Sequence, residues 1–140
     1  DVGDDALCVK SGIDYFGRRF GRPSRDIVFR NITIGHGHGI TVGSETSGGV
    51  FNVTFEGIRM SGTSVGPRIK TQRGRGGVID GIVFRNISAA NLGTIIEVTM
   101  NYHQGLAPTN ATATPQVRNL LFESLELSGK GWGAFDGLLE

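Results

Sequence analysis

Short stretches of alternating apolar and polar residues recur along this chain at intervals of about thirty residues. Four of them align without gaps: DIVFRNIT from Asp26, NVTFEGIR from Asn52, GIVFRNIS from Gly81 and NLLFESLE from Asn119. Their phenylalanines are 26, 29 and 38 residues apart, at Phe29, Phe55, Phe84 and Phe122. Alternation of β-branched and aromatic residues predicts strands, and repeats of this length predict a solenoid whose coils bury their apolar faces against one another.

A second set of apolar stretches lies between these segments. It comprises ALCVK from Ala6, GITVGS from Gly39, PRIKTQ from Pro67, TIIEVTM from Thr94 and AFDGLL from Ala134. No stretch of ten residues has helical periodicity, leucine does not recur as in leucine-rich repeats, and a propeller blade needs four strands. The chain is therefore predicted to be all-β, a partial parallel β-helix with two clear strands per coil, each about 4.8 Å from its counterpart in the next coil.

Composition supports many turns between short strands. Glycine accounts for 23 of the 140 residues, roughly twice its usual share. Four asparagines fall near matching coil positions, where we expect their amides to satisfy turn backbone: Asn31, Asn52, Asn86 and Asn119. The length fits one domain over residues 1–140. Because the first residue is Asp1 rather than Met, we expect an excerpt of a longer protein whose N-terminal coils lie upstream.

The net charge and the apolar stretches limit the classes of binding partner that we expect, and the cysteine content bears on the state of the thiol. The net charge is +1, which does not favour nucleic acid or an anionic membrane, and no apolar stretch approaches the roughly 18 residues of a membrane span. The single cysteine, Cys8, lies in the apolar run ALCV and is expected to be a buried, inert thiol. The stretch RIKTQRGRGG also carries Arg73 and Arg75; a nucleic-acid site there is not expected without interleaved aromatics or a basic surplus elsewhere, and the alternative is a solvated edge that discourages strand pairing.

Stacking of coils places residues about thirty positions apart on one face. On the second set of strands, successive coils present polar side chains in this order: Asp4 and Asp5, His38, Arg68 and Lys70, then Glu97 or Tyr102. The predicted patch combines carboxylates, an imidazole, two cations and a phenol.

The GDD turn could carry acid–base chemistry. Neighbouring residues of a regular strand face opposite ways, so Asp4 and Asp5 can serve one site only if the backbone bends, which Gly3 permits. Close carboxylates push one pKa upward, giving a protonated acid beside an ionised base. The alternative is a solvated acidic pair or a structural cation site.

The GHGHG and RIK motifs could provide an imidazole and two cations. His36 and His38 are two residues apart and could bind a metal together, but no third ligand cluster is evident, so no metal is expected. Arg68 and Lys70 alternate along a strand, share a face and could hold the carboxylate of an anionic ligand.

Taken in order, GDD, GHGITVGS, RIK and the tyrosine after the next strand resemble glycoside hydrolase family 28, the polygalacturonases and their relatives. The motifs of that family run N-T-D, D-D, G-H-G, R-I-K and Y, and the last four are present here. KSGIDYFG and VGSETSGGVFNVTFEG are similar to its plant-type and bacterial branch. The resemblance implies a right-handed parallel β-helix and places the N-T-D carboxylate upstream of Asp1.

The resemblance also implies roles for individual residues. Asp4 would be the general acid, Asp5 would help to activate water, and His38 would orient or tune the acid. Such enzymes hydrolyse α-1,4-galacturonosidic bonds of pectin with inversion at the anomeric carbon. Substrate binding would fall to Arg68, Lys70 and Tyr102.

Further expectations follow from that family. They are a pectic polysaccharide as partner, no cofactor, a monomer, and secretion to the cell exterior or cell wall. Four N-x-S/T sequons also suggest a secretory history, at Asn31, Asn52, Asn86 and Asn110. Two alternative functions remain: a calcium-dependent β-helix polysaccharide lyase, in which an Arg or Lys base abstracts a proton beside a carboxylate, and a non-catalytic β-helix that binds acidic glycans.

Overall fold

A computed structural model of the chain describes residues 1–102 and 112–138, so Asn110 lies outside the described residues. The elements follow in this order: β1 (Leu7–Val9), α1 (Asp14–Phe20), β2 (Ser24–Arg30), β3 (Thr33–Ile34), β4 (Ile40–Gly43), β5 (Val50–Glu56), β6 (Arg59–Ser61), β7 (Pro67–Lys70), β8 (Val78–Leu92), β9 (Ile96–Thr99), β10 (Gln116–Gly129) and β11 (Gly133–Asp136). Nothing helical in these residues has the length and apolar composition needed to cross a membrane.

The strands form two parallel sheets, which confirms the predicted partial parallel β-helix. One sheet has the order β1-β4-β7-β9-β11 and consists of the second set of strands. The other has the order β2-β5-β8-β6-β3, with β10 paired to β8. The expectation of two strands per coil was incomplete, because β3 and β6 are a third short segment and β8 and β10 continue through it without interruption.

A column of phenylalanines runs through the interior. The register pairs Phe29 with Phe55, Phe55 with Phe84 and Phe84 with Phe122. Successive rings stack with centroids 5.0, 4.9 and 5.2 Å apart, close to the spacing of neighbouring strands. The gap-free alignment of the four sequence segments therefore corresponds to side chains in direct contact.

Left-handed backbone corners explain the recurrent asparagines. Two ladders of residues have φ between 53° and 70°: Asp26, Asn52, Gly81 and Asn119, and then Asn31, Gly57, Asn86 and Ser124. Asn, Asp and Gly tolerate this conformation best. The amides of Asn52 and Asn119 donate to the carboxylates of Asp26 and Asp80. The expectation that these two amides satisfy turn backbone was therefore wrong.

The stretch DYFGRRFGRPSR contains the short helix α1, which is held to a turn two coils away. Nη1 of Arg75 donates to Oδ1 of Asp14 at 2.6 Å, and Arg18 donates to the carbonyls of Gly74 and Arg75. The Arg75 side chain is only 4% exposed. The alternative of a solvated edge is therefore wrong for Arg75, which holds α1 to the turn that follows β7.

Candidate active site

The GDD turn brings both aspartates to one place, just before β1. The backbone N–H of His38 donates to the carbonyl of Asp4 at 2.9 Å. This bond fixes the GDD turn to the next coil. Nδ1 of His38 donates to Oδ1 of Asp4 at 2.9 Å. Ligand atoms of Asp4, Asp5 and His38 all lie within 4.8 Å of one another. The structure thus brings together the three side chains for which the family resemblance implies catalytic roles.

Asp5 is bonded to two further coils. Nζ of Lys70 donates to its Oδ2 at 2.8 Å, and Oγ1 of Thr41 donates to its Oδ1 at 3.1 Å. The Lys70 and Asp5 side chains are 6% and 9% exposed, which makes this a nearly buried ion pair. Gly43 opposes Lys70 in the neighbouring strand, and a Cβ there would lie 1.9 Å from the Lys70 carbonyl oxygen. Glycine at that position therefore permits the close stacking that carries Lys70 to Asp5.

Arg68, Lys70 and Tyr102 form the other half of the patch. Arg68 and Lys70 share the outer face of β7, as predicted, while Ile69 between them is fully buried. The guanidinium carbon of Arg68 and the Lys70 ammonium lie 4.9 and 5.0 Å from the centroid of the Tyr102 ring, within cation–π range. Nε of Arg68 donates to Oε2 of Glu97, its register partner on β9.

Hydrogen bonding lowers the pKa of Asp4. The main cause is the backbone N–H of Asp5, which donates to its carboxylate at 2.7 Å, and the second is the bond from His38. Both bonds favour the charged form. A general acid must be protonated when it acts, so to serve as one Asp4 would need acidic pH, or a neighbouring negative charge and desolvation by a bound ligand.

Replacing His38 with alanine should raise the pKa of Asp4. One of the two bonds that favour the carboxylate disappears, while the stronger influence, the Asp5 N–H, remains. The pKa should therefore rise yet stay below its ordinary value. Carbon NMR of the Asp4 carboxyl group across a pH titration measures this directly. His36→Ala is the matched control, because Nδ1 of His36 instead contacts the Val2 carbonyl. An unchanged or lower pKa in His38→Ala would contradict the assignment.

The spacing of the aspartates bears on the type of hydrolysis. Their nearest oxygens are within 4.8 Å. In inverting glycosidases the acid and base carboxyl groups are about 6.5–9.5 Å apart, which leaves room for the attacking water. Asp4 and Asp5 alone therefore leave too little room for an attacking water between them. An inverting reaction with Asp4 as the acid would therefore need a base farther from Asp4 than Asp5 is.

A cation could bind only by disturbing existing contacts. Asp4, Asp5 and His38 are a possible ligand set among the described residues, but His38 is bonded to Asp4 and Asp5 is paired with Lys70. A metal would have to compete with both bonds. Cys8 is not a strong candidate ligand either: its thiol donates to the Gly43 carbonyl, and burial, followed by the charge of Asp5, raises its pKa to about 11.

Two contributors to the patch were not assigned from the sequence. Thr41 is the outward residue between Ile40 and Val42, both fully buried, so alternation within GITVGS could have identified it. Glu97 was considered only as an alternative to Tyr102, and the structure includes both. Its bond to Arg68 depends on the strand register, which sequence spacing does not define to one residue.

Stacked coils with paired carboxylates, an imidazole and two cations on one sheet are the arrangement of a parallel β-helix glycoside hydrolase. The sequence profile of glycosyl hydrolases family 28 matches residues 1–131, and the chain belongs to that family.

Curated relatives carry polygalacturonase names. An endo-polygalacturonase of Pectobacterium parmentieri is 30% identical over 136 residues, covering 97% of this chain and 31% of that protein. A probable polygalacturonase of Vitis vinifera is 37% identical over 102 residues, or 71% and 21% of the two chains. A polygalacturonase of Malus domestica is 33% identical over 130 residues, or 89% and 26%. The chain thus spans 31% or less of the length of these relatives.

Proposed function

We propose that the complete protein hydrolyses α-1,4-galacturonosidic bonds in pectin with inversion at the anomeric carbon. The observation that carries this proposal is the convergence of motifs from four successive coils on one patch. Asp4, His38, Lys70 and Tyr102 are far apart in sequence, yet a continuous series of contacts joins them. The family membership and the names of the relatives agree with this reading.

In the proposed reaction Asp4 gives its proton to the glycosidic oxygen as the bond to the anomeric carbon breaks. Water attacks that carbon from the opposite face, and a carboxylate takes the proton that water loses. Asp5, together with the upstream carboxylate implied by the resemblance, orients and activates the water. His38 holds Asp4 in place through the bond to Nδ1.

The two cations and the phenol bind the substrate in this proposal. Glu97 occupies Nε of Arg68, which leaves the terminal guanidinium nitrogens for a galacturonate carboxylate. Lys70 keeps its bond to Asp5 and adds positive charge nearby, and the Tyr102 ring packs against both cations. Because the proposed substrate is a polysaccharide of the cell wall, the protein would act outside the cell. We propose that it acts there as a monomer without a cofactor.

Product analysis on polygalacturonate tests this function. Proton NMR of the complete protein's reaction should detect the β-anomer first, because inversion of an α-linkage gives a β-product. Release of the α-anomer would overturn the inverting mechanism and suit the close spacing of Asp4 and Asp5. An unsaturated product that disappears with chelator would indicate the calcium-dependent lyase. Salt-sensitive binding without product would indicate an acidic-glycan-binding module.

A further inference from the structure

The two cations of the candidate active site are each bonded to a carboxylate of the chain itself. Nζ of Lys70 donates to Asp5, and Nε of Arg68 donates to Glu97. The side chains of Arg68 and Glu97 are 12% and 24% exposed, so water screens their charges only in part. Neither cation therefore offers its full positive charge to a bound ligand.

The strand register places Glu97 opposite Arg68. Arg68 on β7 pairs with Thr41 on β4 and with Glu97 on β9. Glu97 in turn pairs with Ala134 on β11, so these positions form one row across the sheet that contains β1. The two flanking side chains, a threonine and an alanine, carry no charge. Within this row the guanidinium and the carboxylate can therefore pair only with each other.

The bond to Glu97 also fixes the direction of the Arg68 side chain. It uses Nε, which leaves the terminal guanidinium nitrogens to donate to a ligand. The guanidinium carbon lies 4.9 Å from the centroid of the Tyr102 ring, so a carboxylate holds one edge of the group and an aromatic ring supports one face. Glu97 is therefore a positioning residue for Arg68, and its negative charge stays beside the guanidinium.

A paired guanidinium distinguishes poorly between a charged ligand group and an uncharged one. A free carboxylate is attracted by Arg68 and repelled by Glu97, and the two effects largely offset each other. The carbonyl of a methyl ester carries no net charge, so it accepts hydrogen bonds from the terminal nitrogens without that repulsion. Selectivity is the difference between the two affinities, and the ion pair makes this difference small.

We propose that Glu97 makes the Arg68 position accept a galacturonate unit whose carboxyl group is methyl-esterified as well as one whose carboxyl group is free. This inference rests on the proposed function and adds the esterification state of the polymer that the protein accepts. The ion pair of Lys70 with Asp5 extends the same charge balance over the patch. The substrate is then partly esterified pectin as well as the fully acidic polymer.

Binding of matched oligomers tests the role of Glu97. In the complete protein with Asp4→Asn to suppress turnover, titration calorimetry compares galacturonate oligomers of one length whose carboxyl groups are all free or all methyl-esterified. Adding Glu97→Gln keeps an oxygen that accepts from Nε of Arg68 but removes the charge. The ratio of the Kd for the ester to the Kd for the acid should rise at least about threefold, because only binding of the acid tightens. A smaller rise, or a fall, would overturn the inference.

Two further variants separate charge from structure. Glu97→Ala removes the bond as well as the charge, so binding of the ester should weaken at least about threefold relative to Glu97→Gln. Equal binding of the ester by these two variants would contradict the positioning of Arg68. Glu56→Gln is the matched control, because Glu56 accepts from Nε of Arg30 and is 21% exposed but lies in the other sheet. A ratio that rises equally in Glu56→Gln would overturn the assignment to Glu97.

Hydrolysis by the wild type separates this inference from the proposed function. A rise in the ratio in Glu97→Gln, without hydrolysis of either polymer by the wild type, would refute the proposed hydrolysis and support the role of Glu97 in binding. Hydrolysis of polygalacturonate with an unchanged ratio would support the enzyme and refute the role of Glu97. Thermal unfolding of each variant checks that the fold is retained.

Discussion

Asp4→Asn should lower kcat on polygalacturonate by about 100- to 10,000-fold, the usual contribution of a positioned general acid. The amide cannot give up a proton to the leaving oxygen, but its oxygen can still accept from His38 and from the Asp5 N–H. The Asp4 side chain is 82% exposed, so the substitution should leave the fold intact. Kinetics of the complete protein, with thermal unfolding as a check of folding, measure the effect.

The pH profile distinguishes an acid from a merely structural carboxylate. The wild-type rate should fall as pH rises through the pKa of Asp4, because the deprotonated form cannot donate. The residual rate of Asp4→Asn should show no such fall. Asp26→Asn is the matched control: its carboxylate is also exposed and its pKa is also lowered, by bonds from Asn52 and Arg25, but it lies on the other sheet. Unchanged kcat in Asp4→Asn would exclude Asp4 as the acid.

Lys70→Met should destabilise the protein by about 3–5 kcal/mol, because it leaves the nearly buried Asp5 carboxylate without its counter-ion. The methionine fills much of the same volume, so loss of packing contributes little. The double variant Asp5→Asn with Lys70→Met should recover most of the loss, since neither charge then remains. Urea unfolding of the four proteins in this cycle gives the coupling free energy.

An exposed ion pair provides the comparison for that cycle. Arg25 and Asp26 are bonded at 2.9 Å with side chains 64% and 57% exposed, and Arg25→Met should change stability by less than about 1 kcal/mol. A loss in Lys70→Met no larger than in Arg25→Met would mean that water already solvates Asp5. A double variant as unstable as Lys70→Met would mean that the charge pair is not the cause.

Much of the candidate site follows from motif order combined with coil period. The spacing alone places five side chains together, because stacking brings equivalent positions of successive coils onto one face; they are Asp4, Asp5, His38, Arg68 and Lys70. Contacts that skip a coil could not be derived this way. The bond from Lys70 to Asp5 passes the intervening Gly43, and it depends on the reach of one side chain and on a glycine that leaves room for it.

The direction in which the pKa of Asp4 is shifted also differs from the sequence expectation, and the reason is similar. Adjacent carboxylates suggested that one pKa would be raised, whereas the pKa of Asp4 is lowered, chiefly by the Asp5 backbone N–H. A backbone donor has no signature in the sequence, since its direction depends on the turn conformation. The burial of Arg75 against Asp14 was missed on the same grounds, because it requires α1 to lie over a turn two coils away.

The amino-acid sequence alone determined the coil period, the phenylalanine column and the set of polar groups along the sheet that contains β1. These depend on alternation and spacing, which stacking converts directly into contacts. Only the tertiary structure decided which carboxylate is bonded to His38 and which to Lys70, and that Glu97 holds Arg68. Those features depend on turn geometry, strand register and burial, which involve residues from several coils at once.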